Sequence, residues 1–220
     1  MMDMEVREKM TLTCQDLSKM LRVAFLEFSN PTDQKIQQAE GMRSEIHRST
    51  AELTNFIVFK SSSGEKGKQW AKPYLSMASS FDRMTYNIEG IIDRVKRKTS
   101  GHLLFSDRGV KEVNDVFQEA MDLLESLPEL INTGNKQLAQ HMGERVRAVF
   151  KIANGFSEEH EERLLQGICL PKSSPIYLGI LESLKGIITH ILEVSGKIVT
   201  LSSSRSSPSS PPSPPEEAVS

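Results

Sequence analysis

Residues 174–201, SPIYLGILESLKGIITHILEVSGKIVTL, decide the fold class. Tyr177, Ile180, Leu184, Ile187, Ile191, Val194, Ile198 and Leu201 fall at alternating steps of three and four, the spacing of one helical face. Leu181, Ile188, Leu192 and Val199 widen that face, so this helix is expected to be covered on more than one side. Working outward, the same spacing recurs in Tyr74, Ala78, Phe81, Ile88, Ile92 and Val95, and again in Met10, Cys14, Leu17, Leu21, Ala24 and Phe28. A fourth stripe holds Val113, Phe117, Ala120, Leu124, Leu127 and Ile131. Weaker stripes, Ile36 to Phe56 and Leu138 to Phe156, mark a second and a fifth helix. Strand alternation is absent, so the expected fold is all-α with six helices.

Prolines punctuate the pattern. Asn30-Pro31 and Ser174-Pro175 have the form of an N-cap followed by proline at the first helical position, where the missing N–H costs nothing. Pro73 and Pro171 are expected in the polar stretches before the third and sixth helices, whereas Pro128 falls within a helical pattern. Ser61 to Gly67 is expected to be a flexible connector that ends near Trp70. From Ser202 onward the chain is Ser and Pro with almost nothing to bury, the composition of a disordered tail.

Sliding the chain along itself by 103 residues superposes the stripes: Leu21 on Leu124, Phe28 on Ile131, Ile46 on Val149, Phe81 on Leu184, Ile88 on Ile191 and Val95 on Ile198. The constant offset implies two tandem three-helix-bundle repeats, residues 1–103 and 104–201, followed by the tail 202–220. The 3–4 spacing favours shallow, coiled-coil-like crossings.

Composition narrows the function. The chain carries 27 basic and 29 acidic residues among 220, a net charge of −2, which argues against a general nucleic-acid binder. MMDMEVREKM carries no apolar stretch of the secretory kind and no long uncharged apolar run follows, so the chain is expected to stay in the cytoplasm. Cys14 and Cys169 have no CxxC partner, and each is expected to be a small buried hydrophobe.

The segment Ser157 to Val199 contains His160, Arg163-Leu164, Gly167, Cys169, Pro171, Ile176-Tyr177-Leu178 and His190. In this order they resemble the last two helices of the PhoU domain that follows the membrane part of sodium/phosphate cotransporters. Phe81-Asp82-Arg83-Met84-Thr85-Tyr86 resembles the family's Leu-Glu-Arg-Ile-Gly-Asp signature in the first repeat. The resemblance spans about residues 10–200 and agrees with the duplication, since the family is built from two three-helix repeats. It implies a cytosolic, non-enzymatic regulator of phosphate uptake or phosphate signalling that touches a transporter or its sensor kinase through helical faces.

The family also carries Glu/Asp-x-x-x-Asp motifs whose carboxylates gather metal ions. The matching positions are Arg43 and His47, Asp82 and Tyr86, Val146 and Phe150, and Lys185 and Thr189, so only Asp82 keeps a carboxylate and no cofactor is expected. The alternative is a divalent metal ion on Asp82, Glu89 and Asp93, which share one stripe of the third helix with His47 as a neighbouring candidate. On that reading the chain is a metal-storage bundle or a metal-dependent enzyme. A third reading is a helical scaffold unrelated to phosphate.

The remaining constellations have plain explanations. Arg94, Lys96, Arg97 and Lys98 complement a helix C-terminus, and would also suit an acidic partner or a phosphate-bearing lipid at the inner face of a membrane. Glu158, Glu159, Glu161 and Glu162 read as a solvated helical segment. An apolar stripe left over on the first or fourth helix would suit a second copy in a homodimer. No catalytic set is identifiable from spacing.

Overall fold

A computed structural model describes residues 3–30, 32–62 and 64–203, with the backbone alone for 33–37. The helices are α1 (Met4–Ser29), α2 (Asp33–Lys60), α3 (Glu65–Ser100), α4 (Asp107–Thr133), α5 (Lys136–Leu165) and α6 (Ser174–Ser203), and no strand occurs among the described residues. Local chemistry sets the ends. Asp3 accepts from Glu5 N at 3.1 Å, Ser106 Oγ accepts from Gly109 N at 3.1 Å, and Asn135 Oδ1 accepts from Gln137 N and Leu138 N at 2.9 and 3.2 Å. Gly134 closes α4 in the left-handed region at φ 62°, which favours a residue without Cβ.

The helix bounds follow the offset of 103. The starts of α1 and α4, the starts of α2 and α5, and the ends of α3 and α6 each obey it. So do the caps Asp3 and Ser106 and the left-handed glycines Gly64 (φ 83°) and Gly167 (φ 71°). Packing follows the same pairing: α1, α2 and α3 pack on one another, α6 packs on both α4 and α5, and α4 packs on α5. The triplets meet where α1 lies on α4 and α3 on α6. All six pairs of stripe residues matched by the offset are buried, in one continuous core. Phe117 of α4 carries the α1 contact, its ring 5.4 Å from Phe25 and 5.8 Å from Phe28. Burying such rings contributes about 2 kcal/mol each.

The stripe of α6 is central, with Ile180, Leu181, Leu184, Ile187, Ile188 and Ile191 fully buried against α3, α4 and α5, but of the residues expected to widen it Leu192 is exposed and Val199 half-buried. Among the described residues α6 is also the one helix long and apolar enough to cross a bilayer, yet half of that window is buried inside the protein. A core helix needs the same composition.

Several local expectations are corrected. Pro73 lies inside α3, which starts at Glu65, because buried Ala71 and the Trp70–Tyr74 ring contact at 4.9 Å tie the added turns to the core. The connector therefore ends at Gly64. Asn30 closes α1, its N–H donating to Leu26 O at 2.9 Å, while Pro31 and the side chain of Ile36 lie outside the described residues. Ser202 and Ser203, assigned by composition to the tail, continue α6; residues 204–220 lie outside the described residues. Cys14 is fully buried, but Cys169 is half-buried on a loop.

Candidate functional site

Two polar constellations stand out, one in each triplet. The first lies between α2 and α3. His47 faces Asp82 Oδ1 through Nδ1 at 3.2 Å and Glu89 Oε1 through Nε2 at 2.7 Å, so both ring nitrogens lie against carboxylates. Arg43 Nε reaches the same Glu89 oxygen at 2.8 Å, and the Tyr86 ring lies 5.1 Å from the imidazole. Arg43, His47, Asp82 and Tyr86, the four first-half positions that match the family's carboxylate motif, therefore lie near one another between α2 and α3. Their chemistry does not fit a cluster of hard cations. The Arg43 guanidinium and the His47 imidazole occupy the oxygens a metal would need. Asp93, expected beside Asp82 and Glu89, is exposed and takes no part in these bonds. Among the described residues no group of three or more His, Cys, Asp or Glu side chains is placed to hold a metal ion. In the second half Val146 is buried, and Lys185 bonds Asn154 Oδ1 at 3.0 Å and pairs with Glu182.

The second constellation joins α4, α5 and α6, and spacing did not reveal it. Glu112, almost fully buried, accepts four bonds: from Arg163 Nη1 at 3.0 Å, Arg163 Nη2 at 2.6 Å, Arg108 Nε at 3.0 Å and Tyr177 Oη at 2.5 Å. Four donors meet the lone-pair capacity of one carboxylate. Burial and the Glu112 charge push the Tyr177 phenol far above its ordinary range. His160 stacks on the Tyr177 ring, centroids 4.3 Å apart, with Nε2 2.9 Å from Ser174 Oγ. Burial, then the Arg163 charge, lowers its pKa, which favours neutral imidazole. Glu159, expected to be solvated, instead pairs with Arg108 and lies 3.8 Å from Arg163 Nη1. The available signal was Glu112 itself, one residue from Val113 and four from Val116 on a face that should be apolar.

Beside this network lies a cavity of about 210 Å³ lined by Leu104, Phe105, Ser106, Gly109, His160, Ile168, Cys169, Leu170, Ser173 and Tyr177. The loop 166–173 forms one wall. Gly167 turns it, and Ile168 N and Cys169 N donate to Arg163 O at 2.9 and 3.3 Å, so the residue that grips Glu112 also fixes the loop. The offset places 168–173 opposite the first turns of α3, where the first triplet stays helical. The position matching Ser173 is Trp70.

His160 and Ser174 are in hydrogen-bond range, but Ser174 is buried and absent from the cavity wall, so its hydroxyl is not presented to a substrate. His190, the third histidine of the resembling stretch, faces Glu193 Oε2 at 2.8 Å.

No protein-family model matches the chain, and no curated protein matches it in sequence. Its structure is similar to that of the phosphate transport system regulatory protein PhoU from Streptococcus pneumoniae, with a TM-score of 0.79 and 12% identity over 91% of this chain and 95% of that one. A PhoU-like protein from Shewanella oneidensis MR-1 matches with a TM-score of 0.57 and 12% identity, over 90% of this chain and 99% of that one. A putative PhoU-like phosphate regulatory protein from the same organism gives the same figures. The likeness is one of architecture: the chain has the six-helix fold seen in PhoU.

Proposed function

We propose that the protein is a regulator of phosphate uptake or phosphate signalling that acts without catalysis, by binding a transporter or a sensor kinase on the cytoplasmic side. The observation that carries this reading is the near end-to-end match in architecture to a phosphate transport regulatory protein. We further propose the division into triplets 1–103 and 104–201, supported by helix bounds that obey one offset. A nearer kinship with the PhoU domain of sodium/phosphate cotransporters is part of the proposal and rests on the His160 to Tyr177 stretch, whose His160, Cys169 and Tyr177 line the cavity.

The rival is a metal-binding bundle using Asp82, Glu89 and Asp93. It is the weaker reading because Arg43 and His47 already occupy the Glu89 oxygen Oε1. Affinity capture of the tagged full chain from phosphate-starved and phosphate-replete cells tests the proposal. Recovery of a phosphate-transport ATPase or a phosphate sensor kinase is expected. Recovery of neither, with the bait abundant and folded, contradicts it.

A further inference from the structure

The rim of the cavity beside His160 is apolar and faces outward. Leu104, Ile168 and Leu170 line it, with relative exposures of 72%, 59% and 56%, and Leu165 at the end of α5 is 89% exposed. The loop 166–173 does not hold Ile168 and Leu170 out through slack. Gly167, the two N–H bonds onto Arg163 O, and Ser173 N donating to Leu170 O at 3.0 Å fix its backbone. A rigid loop that presents aliphatic side chains to water has pre-organised a contact surface. The cavity, at about 210 Å³, is smaller than the several hundred Å³ usual for small-molecule sites and suits one large side chain.

Charge identifies the occupant. Glu158, Glu161 and Glu162 lie on one face of the last turns of α5, the face that ends in Leu165, by steps of three and four. All three are exposed, and none makes an ion pair among the described residues, whereas Glu159 is paired. Their position at a helix C-terminus is unfavourable in the free protein, because the macrodipole and mutual repulsion both act against them. Nearby cations offset this only in part. Lys98 is drawn in over the Phe28 and Phe105 rings, at 5.6 and 5.5 Å, leaving Lys172 exposed on the loop.

We infer that this rim docks a segment of a partner protein that places one bulky apolar side chain in the cavity and two or more Lys or Arg residues along Glu158, Glu161 and Glu162. An anionic membrane or a nucleic acid would be repelled by the same carboxylates. The inference rests on the reading that the protein works by binding a partner, and it adds where and by what chemistry.

The test uses the full chain and two sets of synthetic peptides of about 15 residues, each with a single Phe anchor and flanked by Lys or by Glu. Fluorescence anisotropy is read at low and high salt, with phosphatidylglycerol vesicles and sedimentation alongside. The Lys set is expected to bind and to weaken about tenfold or more in Ile168→Asp. It should also lose affinity and salt dependence in Glu158→Gln/Glu161→Gln/Glu162→Gln, whose fold is checked by circular dichroism. Four outcomes overturn the inference: no preference for the Lys set, binding indifferent to Ile168→Asp, vesicle binding through the same residues, or self-association that Ile168→Asp abolishes. If the Lys set binds as expected while phosphate uptake is unaltered by loss of the protein, the docking surface stands and the regulatory reading falls.

Discussion

Arg22 of α1 and Glu125 of α4 stand at equivalent positions of the two triplets, 103 residues apart, and form an ion pair with each other. Both side chains are about half exposed, so the pair contributes at most about 1 kcal/mol. Its value is positional: it bridges the α1–α4 contact.

Phe117 packs on Phe25 and Phe28 at that contact, and truncating it removes a fully buried ring from the seam between triplets. Phe117→Ala is expected to cost about 3–5 kcal/mol in urea unfolding. A loss below about 1 kcal/mol would show that the seam does not hold the halves together.

Glu112 binds three helices at one point. Glu112→Ala leaves the Arg163 guanidinium and the Tyr177 hydroxyl buried without their acceptor, and is expected to cost about 3–5 kcal/mol. Glu112→Met with Arg163→Met, which leaves no buried charge, should cost less than the single change. The comparison is made by chemical denaturation of the two variants, and a double variant less stable than Glu112→Ala would contradict the account.

His160 supplies a pH dependence. Its folded-state pKa lies below its ordinary value of 6.5, through burial first and Arg163 second, while Glu112 and Glu161 act in the opposite direction. Between the folded and ordinary values the unfolded chain binds more protons, so stability is full above 6.5 and falls as pH drops. Wild type should lose melting temperature on acidification from neutral pH to about 5, and His160→Gln should lose less. Equal losses would remove His160 as the cause. The carboxylates of Asp3, Glu40 and Glu193, whose pKa values are also lowered, act only at more acidic pH.

Arg43 and His47 hold Glu89 at the contact between α2 and α3. His47→Ala is expected to cost about 1–2 kcal/mol, reduced by the partial exposure of the ring. Melting curves of wild type should be unmoved by a chelator or by added manganese. A shift of several degrees with the metal would restore the metal reading of Asp82 and Glu89.

The helical stripes were legible because a core-facing helix repeats its apolar residues every three or four positions, and Leu184, Ile191 and Phe81 obey that rule without long-range help. Glu112, Arg163 and Tyr177 were not, since the partners lie 51 and 65 residues from Glu112 and no periodicity links them. Pro73 misled for a related reason: a proline marks a helix start when nothing else decides, and here the packing of Ala71 and Trp70 decided. Arg43 and His47 could be placed together only through the resemblance. Their contact with Glu89 needed coordinates.

The central claim is that the protein restrains or relays phosphate uptake by binding. It is tested most directly by radiolabelled phosphate uptake in phosphate-replete cells lacking the protein, then restored with wild type. Uptake that changes on loss and returns on restoration is the predicted result. Uptake identical in all three strains, with the restored protein present and folded, would contradict it.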